Sequence, residues 1–307
     1  MPENVIFGSG PLGLAVARRL VSLGKQVQLV NRSGKAPAPQ GTVVVAADAT
    51  DPAAARRVCD GAGVVYHCAT GAYGRWAQFL PRLMNGIIEG AGATKAKLVY
   101  GDNLYAYGLV EGPIREDLPY QPVGPNTRAR ADVANALMAA HDAGKVRATI
   151  GRASDFYGPH ARQSVAGDGI FARGLAGKPA QVLGDPDTPH TYTFIDDFAS
   201  GLVTLAQHEE ALGQVWHIPS AETVTTRRFI EMVFAKLQRP AKLQPAPKLA
   251  ITLLAIFIPP MAAVKETSYQ REHPWVVDHT KFARTFGAQP TPHEQAIDET
   301  VAWFRSG

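Results

Sequence analysis

The chain has 307 residues, 46% hydrophobic and 19% charged, with a formal net charge of +4; this suffices to bury a large core and excludes a disordered or fibrous protein. The positive excess is scattered, with no Lys/Arg block and no basic stripe interleaved with aromatics, so nucleic acid is not an expected partner. The two cysteines, Cys59 and Cys68, make neither a disulfide framework nor a metal site, and no charged-then-apolar leader opens the chain, so the expected compartment is the cytoplasm.

In chain order, short apolar runs alternate with helical patterns: "NVIFGSG", "PLGLAVARRLVSLG", "QVQLVNR", "TVVVAAD", "DPAAARRVCDG", "GVVYHCAT", "WAQFLPRLMNGIIEGAG", "AKLVYGDN", "RADVANALMAAHDAG" and "VRATIGRAS". Uniformly apolar, β-rich runs separated by helices predict a parallel sheet covered on both faces. The expected fold is α/β, a doubly wound parallel sheet of Rossmann type with a smaller C-terminal substrate lobe. Residues 1–155 form the predicted dinucleotide-binding core, to which 190–217 return; 156–189 and 218–307 form the lobe.

The first strand ends in "GSGPLG", with Gly8, Gly10 and Gly13 in G-x-G-x-x-G spacing and Pro11 and Leu12 opening the next helix. The first glycine permits the tight turn, the second lets backbone approach a pyrophosphate, and the third allows close helix packing. The helix N-terminus then faces the anion. The second strand ends in "VNRSG", where an NAD site usually presents a carboxylate to the ribose. Asn31 removes that repulsion, Arg32 supplies a planar cation for a 2′-phosphate, and Ser33 and Lys35 add a hydroxyl and a charge. NADP(H) is therefore the expected cofactor. Asp48 is placed either to accept from the adenine amino group or to cap the helix "PAAARRV", a cap for which Asp51 competes.

These residues together resemble the extended, epimerase-like branch of the short-chain dehydrogenase/reductase superfamily. "HCAT" (with Cys68, Ala69 and Thr70) stands at its fourth-strand motif. "GRASDFYGP" resembles "R-x-x-N-x-Y-G-P", "HTYTFIDDFASGLV" resembles the "R-D-F-x-x-V-D-D" segment that re-enters the core, and "VDHTKFARTFGAQPTPHEQAIDETVAWFR" follows its C-terminal pattern. The resemblance implies cofactor contacts from Gly8, Gly10, Pro11, Leu12, Gly13, Asp48, Ala49, Cys68, Ala69, Thr70 and Tyr157, and packing of His67 nearby. By analogy it also implies that two copies pair into a homodimer.

The pattern breaks at the chemistry. Asn103 stands where the family has Ser or Thr, four residues before Tyr107, and the Tyr and Lys of Y-x-x-x-K align with Thr127 and Ala131. Shifting the register brings in Arg128 or Arg130 but no tyrosine or lysine. The replacement candidates are Tyr105 and Tyr107, which share a face with Asn103 if the strand "VYGDNLYAYG" persists. One of them would donate the proton, while the Asn103 amide polarises a carbonyl. Asp102 is expected to be a cap or solvated.

Three functions fit. The leading expectation is NADPH-dependent reduction of a small apolar carbonyl or enone by a non-standard proton donor. The alternatives are an NADP(H)-binding sensor or scaffold with little turnover and a nucleotide-sugar epimerase or dehydratase. Trp76, Phe79, Phe171 and the apolar run Leu249–Val264 are expected to roof an apolar substrate pocket. That run is too short to span a bilayer and carries Pro259 and Pro260, so no membrane insertion is expected. His190, at a position where the family often has an arginine for a phosphate, argues against the nucleotide sugar.

Overall fold

Five largely buried runs become the interior strands of a seven-stranded sheet. The computed structural model describes residues 3–72, 75–246, 258–287 and 289–306. In chain order the core consists of β1 (Asn4–Phe7), α1 (Pro11–Ser22), β2 (Val27–Asn31), β3 (Thr42–Ala46), α2 (Pro52–Cys59), β4 (Val64–His67), α3 (Trp76–Thr94), β5 (Lys97–Asp102), α4 (Pro125–Asp142) and β6 (Arg147–Arg152). The order β11-β6-β5-β4-β1-β2-β3, parallel throughout, includes β11 (Val215–His217) beside β6. Strand order reverses between β1 and β4, and a doubly wound sheet opens its ligand crevice at such a point, outside the carboxyl ends of the strands.

The two faces are filled differently. Helices α2, α3 and α4 cover one with Ala55, Leu83, Ile87, Val133 and Leu137. On the other, α1 packs beside α6 (Ile195–Gln207), with Leu14, Leu20, Phe198 and Leu202 buried. β3 is an exception to the expectation of double burial: it is one of the two edge strands, and Val43 on it is 60% exposed.

Beyond β6 the described residues form three two-stranded ribbons. β7 (Asp155–Tyr157) pairs with β10 (Tyr192–Phe194), β8 (Ala180–Val182) with β13 (Leu243–Pro245), and β9 (Pro189–His190) with β12 (Val224–Thr225). A third core, including Tyr157, Phe171, Phe194, Phe229 and Phe304, joins α5 (Phe171–Leu175), α7 (Thr226–Lys236) and the helix His293–Ser306. The expected re-entry of "HTYTFIDDFASGLV" thus differs in detail: its strand stays outside the main sheet, α6 packs against the sheet, and β11 rejoins it. Residues 249–257 of the apolar run lie outside the described residues. Among the described residues no helix is long and apolar enough to cross a membrane.

Candidate functional site

At the switch point the backbone of β1 meets the chain leaving β4. Gly8 has φ +105°, and a Cβ there would stand 2.6 Å from Ala69 Cα; only glycine fits both the conformation and the gap. A Cβ on Gly13 would fall 1.8 Å from the Gly8 oxygen, so α1 rests directly on the turn. Gly10 is the opposite case, since a Cβ there meets nothing within 4 Å. It opens onto a cavity of about 480 Å³ lined by Gly8, Ser9, Gly10, Asn31, Arg32, Asp48, Ala49, Cys68, Ala69 and Thr70, among others. Gly10 caps α1 without a side-chain hydrogen bond, and Pro11 follows at the first turn, so the first-turn N–H groups are presented to that space. An open cradle at a helix N-terminus beside an arginine suits a dinucleotide pyrophosphate.

The tip of β2 is shaped by Asn31. Its Nδ2 donates to Ser9 Oγ (2.8 Å) and to the Lys35 oxygen (2.9 Å), while its Oδ1 accepts from the backbone N–H groups of Ser33 (3.0 Å) and Gly34 (2.7 Å). Ser33 Oγ is used in the same turn, donating to Asn31 Oδ1 at 3.1 Å. Arg32 is left exposed at the cavity. Asp51 is the cap of α2, accepting from the Ala53 N–H at 2.9 Å. Asp48 accepts from the Thr50 N–H and hydroxyl instead; these bonds, and the nearby Arg32, hold its carboxyl below the usual range.

The segment after β5 departs from expectation. The strand stops at Asp102, and Tyr105–Tyr107 form a single 3-10 turn, because Asn103 Oδ1 accepts the Tyr105 N–H at 3.1 Å and so ends the ladder. The two tyrosines therefore part. Tyr107 is fully buried with its hydroxyl 3.0 Å from His217 Nε2. His217 Nδ1 donates to the Asp278 oxygen at 3.0 Å, so Nε2 is the acceptor and the Tyr107 hydroxyl donates to it. Burial drives His217 down to about 3 and Tyr107 up to about 12. Tyr105 is half-buried and stacks on Trp76 with centroids 6.0 Å apart.

The aligned triad positions hold nothing reactive. Thr127 is buried, its hydroxyl accepting from the Val123 and Gly124 N–H groups and its own N–H donating to Glu266 Oε1. Ala131 packs in the core. The group that arrives from α4 is Arg130, one residue off that alignment: it bonds Tyr100, Asp102 and Thr70. Asp102 is not solvated but completely buried between Arg130 and Arg152. Sequence counting reached Arg130 only through a shifted register and missed its cluster with Asp102 and Arg152; the available signal was Arg152 at the inner end of β6.

A model of the NAD dependent epimerase/dehydratase family matches residues 5–218. The chain belongs to that family. No curated protein matches it. Solved folds agree over nearly the whole chain. UDP-glucuronic acid 4-epimerase from Bacillus cereus, in complex with UDP-glucuronic acid and NAD, is 17% identical with a TM-score of 0.80, covering 99% of both chains. An epimerase from Methanothermobacter thermautotrophicus is 17% identical with a TM-score of 0.83, covering 99% of this chain and 93% of its own. A dTDP-glucose 4,6-dehydratase double mutant from Streptomyces venezuelae, with NAD bound, is 16% identical with a TM-score of 0.80, covering 98% and 96%.

In this member of the epimerase/dehydratase family Tyr157 is not beside the cavity. It is fully buried in the third core against Phe171, Phe194 and Phe229, and its hydroxyl lies 2.9 Å from His293 Nδ1. Phe171 is core for the same reason, and Trp76 is buried, whereas Phe79 does line the cavity. Because His293 Nε2 donates to the Glu222 oxygen (2.9 Å), Nδ1 is the acceptor for Tyr157. Tyr157→Phe is expected to leave that acceptor unpaired and cost about 1–3 kcal/mol in denaturant unfolding, with dinucleotide affinity unchanged in calorimetry. A selective loss of affinity would return Tyr157 to the cofactor site.

Proposed function

We propose that the chain binds NADP(H) and uses it to exchange hydride with a carbinol or carbonyl carbon of a small-molecule substrate, as an epimerase- or dehydratase-class enzyme acting on a sugar nucleotide. The observation that carries this reading is the cavity in front of Gly10 and the N-terminus of α1, flanked by Arg32 and Asp48. Family membership and the fold likeness to sugar-nucleotide enzymes favour this alternative over the enone reductase expected from sequence. A bound dinucleotide supplies the hydride donor or acceptor. The chain supplies the rest: backbone N–H groups for the pyrophosphate, Arg32 for a 2′-phosphate, Asn103 to polarise the substrate oxygen and Tyr105 to move its proton. With this reading goes the assignment of residues 156–189 and 218–307 to substrate binding.

NADP(H) is preferred to NAD(H) because the tip of β2 offers a cation and no carboxylate. Arg32→Ala is expected to weaken NADPH binding about 10–100-fold while leaving NADH nearly unaffected. Calorimetry with both nucleotides checks this; tighter binding of NADH to the unaltered protein would reverse the preference.

A second reading, NADPH-dependent reduction of a small carbonyl or enone, is favoured by one observation. Asp155 Oδ2 and His190 Nε2 lie 3.2 Å apart and buried, so these two groups face each other rather than offer a cation to a diphosphate. A turnover screen over UDP- and dTDP-sugars with NADP or NAD, and over aldehydes, ketones, quinones and enones with NADPH, separates the two. Tight dinucleotide binding without turnover of any of them would support a sensor.

A further inference from the structure

Two guanidinium groups share one carboxylate at the carboxyl ends of β5 and β6. Arg130 Nη1 lies 3.3 Å from Asp102 Oδ1 and Arg152 Nε 3.1 Å from Asp102 Oδ2, with side-chain exposures of 7%, 0% and 0% for Arg130, Arg152 and Asp102. The titratable groups that touch the two arginines add no second negative charge, and the nearest further carboxylate, Glu116, is engaged by the His217 N–H at 2.9 Å. Burial drives His67 and His217 down to about 3, leaving both neutral, and pushes the Tyr100 and Tyr107 phenols up, so both keep their protons. The cluster therefore holds one positive charge in excess, and an excess buried charge is costly unless an anion forms beside it.

The two arginines dispose of that excess differently. Arg152 lies beside the T-shaped pair of Tyr107 and Tyr120, 4.8 and 4.7 Å from their centroids, an arrangement in which the aromatic rings take up part of the charge. Arg130 faces the cavity side. Its Nη2 donates to Thr70 Oγ1 at 3.0 Å, and Thr70 lines the dinucleotide cavity. Its guanidinium lies 4.2 Å over Trp76, the ring on which Tyr105 stacks, and it is within electrostatic reach of the Tyr105 phenol. Arg130 Nε, like Nη1 and Nη2 of Arg152, is buried without a hydrogen-bond partner.

We propose that Arg130 is the electrostatic partner of Tyr105, held by Asp102, Tyr100 and Thr70 so that its charge stabilises the phenolate left when Tyr105 gives its proton to the substrate oxygen. In the reducing direction the substrate carbonyl carbon receives hydride from the reduced nicotinamide, and the C=O π pair moves onto oxygen. That oxygen takes the Tyr105 proton, the phenolic O–H bond leaves its electron pair on tyrosine, and solvent later restores the proton. Oxidation of the carbinol is the reverse. Arg130 touches no reacting atom and is a positioning residue. This inference rests on the proposed hydride chemistry.

The test is a titration of the protein without dinucleotide, labelled with ¹³Cζ-tyrosine and followed by NMR, with the Tyr105 signal assigned by its loss in Tyr105→Phe. Tyr105 is expected to ionise about one pH unit or more below the ordinary value of about 10. Arg130→Met is expected to lower its ionisation constant at least about tenfold, and Arg130→Lys to restore most of it, since a cation and not a particular shape is required. A Tyr105 that titrates at about 10 or higher in the unaltered protein would overturn the proposal, even if Arg130→Met proves too unstable to study. An unmoved Tyr105 in a folded Arg130→Met protein would do the same. NADPH calorimetry on the unaltered protein separates the claims: absent binding defeats the proposed function, whereas normal binding with an unshifted Tyr105 defeats only this inference.

Discussion

Gly10→Val is expected to leave the fold intact and remove dinucleotide binding, whereas Gly13→Val is expected to damage the fold itself. The contrast follows from where each new side chain would go. At Gly10 the Cβ direction is empty for 4 Å, so the folded protein loses nothing by filling it and its melting temperature stays close to that of the parent. The same space is where a pyrophosphate would approach the first-turn N–H groups of α1. Losing two charge-assisted hydrogen bonds costs about 3 kcal/mol, or roughly a hundredfold in affinity. At Gly13 the Cβ would sit 1.8 Å from the Gly8 oxygen. The helix must lift from the turn, and overpacking of this kind costs about 1–3 kcal/mol, more where backbone moves. Calorimetry with NADPH and thermal melts of both variants decide the matter. A Gly10→Val protein that binds NADPH like the parent would remove the pyrophosphate from this turn, and with it the proposed function.

The glycine turn after β1 was legible in sequence because its glycines answer to backbone geometry, which is local and leaves a fixed spacing. The sheet was legible for a similar reason: its interior runs are apolar on both faces, as in β1, where all four residues are buried. What that pattern cannot tell is position within the sheet, and "TVVVA", composed like an interior strand, is an edge strand. The fate of "DNLYAYG" was half legible. An Asp-Asn pair after an apolar run is a turn signal, yet alternation favoured a continued strand, and the Asn103 side chain decided for the turn. Tyr107 then went to His217, 110 residues away, and no local pattern announces such a contact. Arg130 was legible only as a residue one register away from the family's catalytic position. Motif counting aligns residue types with expected places, whereas a long side chain one position away on a helix can reach the place left by a shorter one.

Asp102→Asn is expected to be the most damaging single substitution outside the glycines. It leaves the guanidiniums of Arg130 and Arg152 buried without a carboxylate, and turns the acceptor of the Tyr100 hydroxyl (3.2 Å) into an amide. Breaking a buried ion pair from one side costs about 3–5 kcal/mol, which lowers the Tm by about 5–8 °C in a protein of this size. High salt is not expected to rescue it, because buried charges are screened little. Asp187→Asn is the control: its pair with Arg227 is equally well formed, at 2.6 Å, but exposed, and its loss is expected to leave the Tm unchanged. The cluster can also be replaced whole. A triple variant, Asp102→Leu with Arg130→Met and Arg152→Met, removes the charges together and is expected to recover most of the lost stability, since an apolar triad carries no desolvation penalty. If the triple variant melts near the parent yet has lost turnover, stability is not what the three buried charges are retained for, and their role is the field they place on Tyr105. If Asp102→Asn melts with the parent, the cluster is not the closed, low-dielectric assembly described here, and the electrostatic argument for Arg130 falls with it.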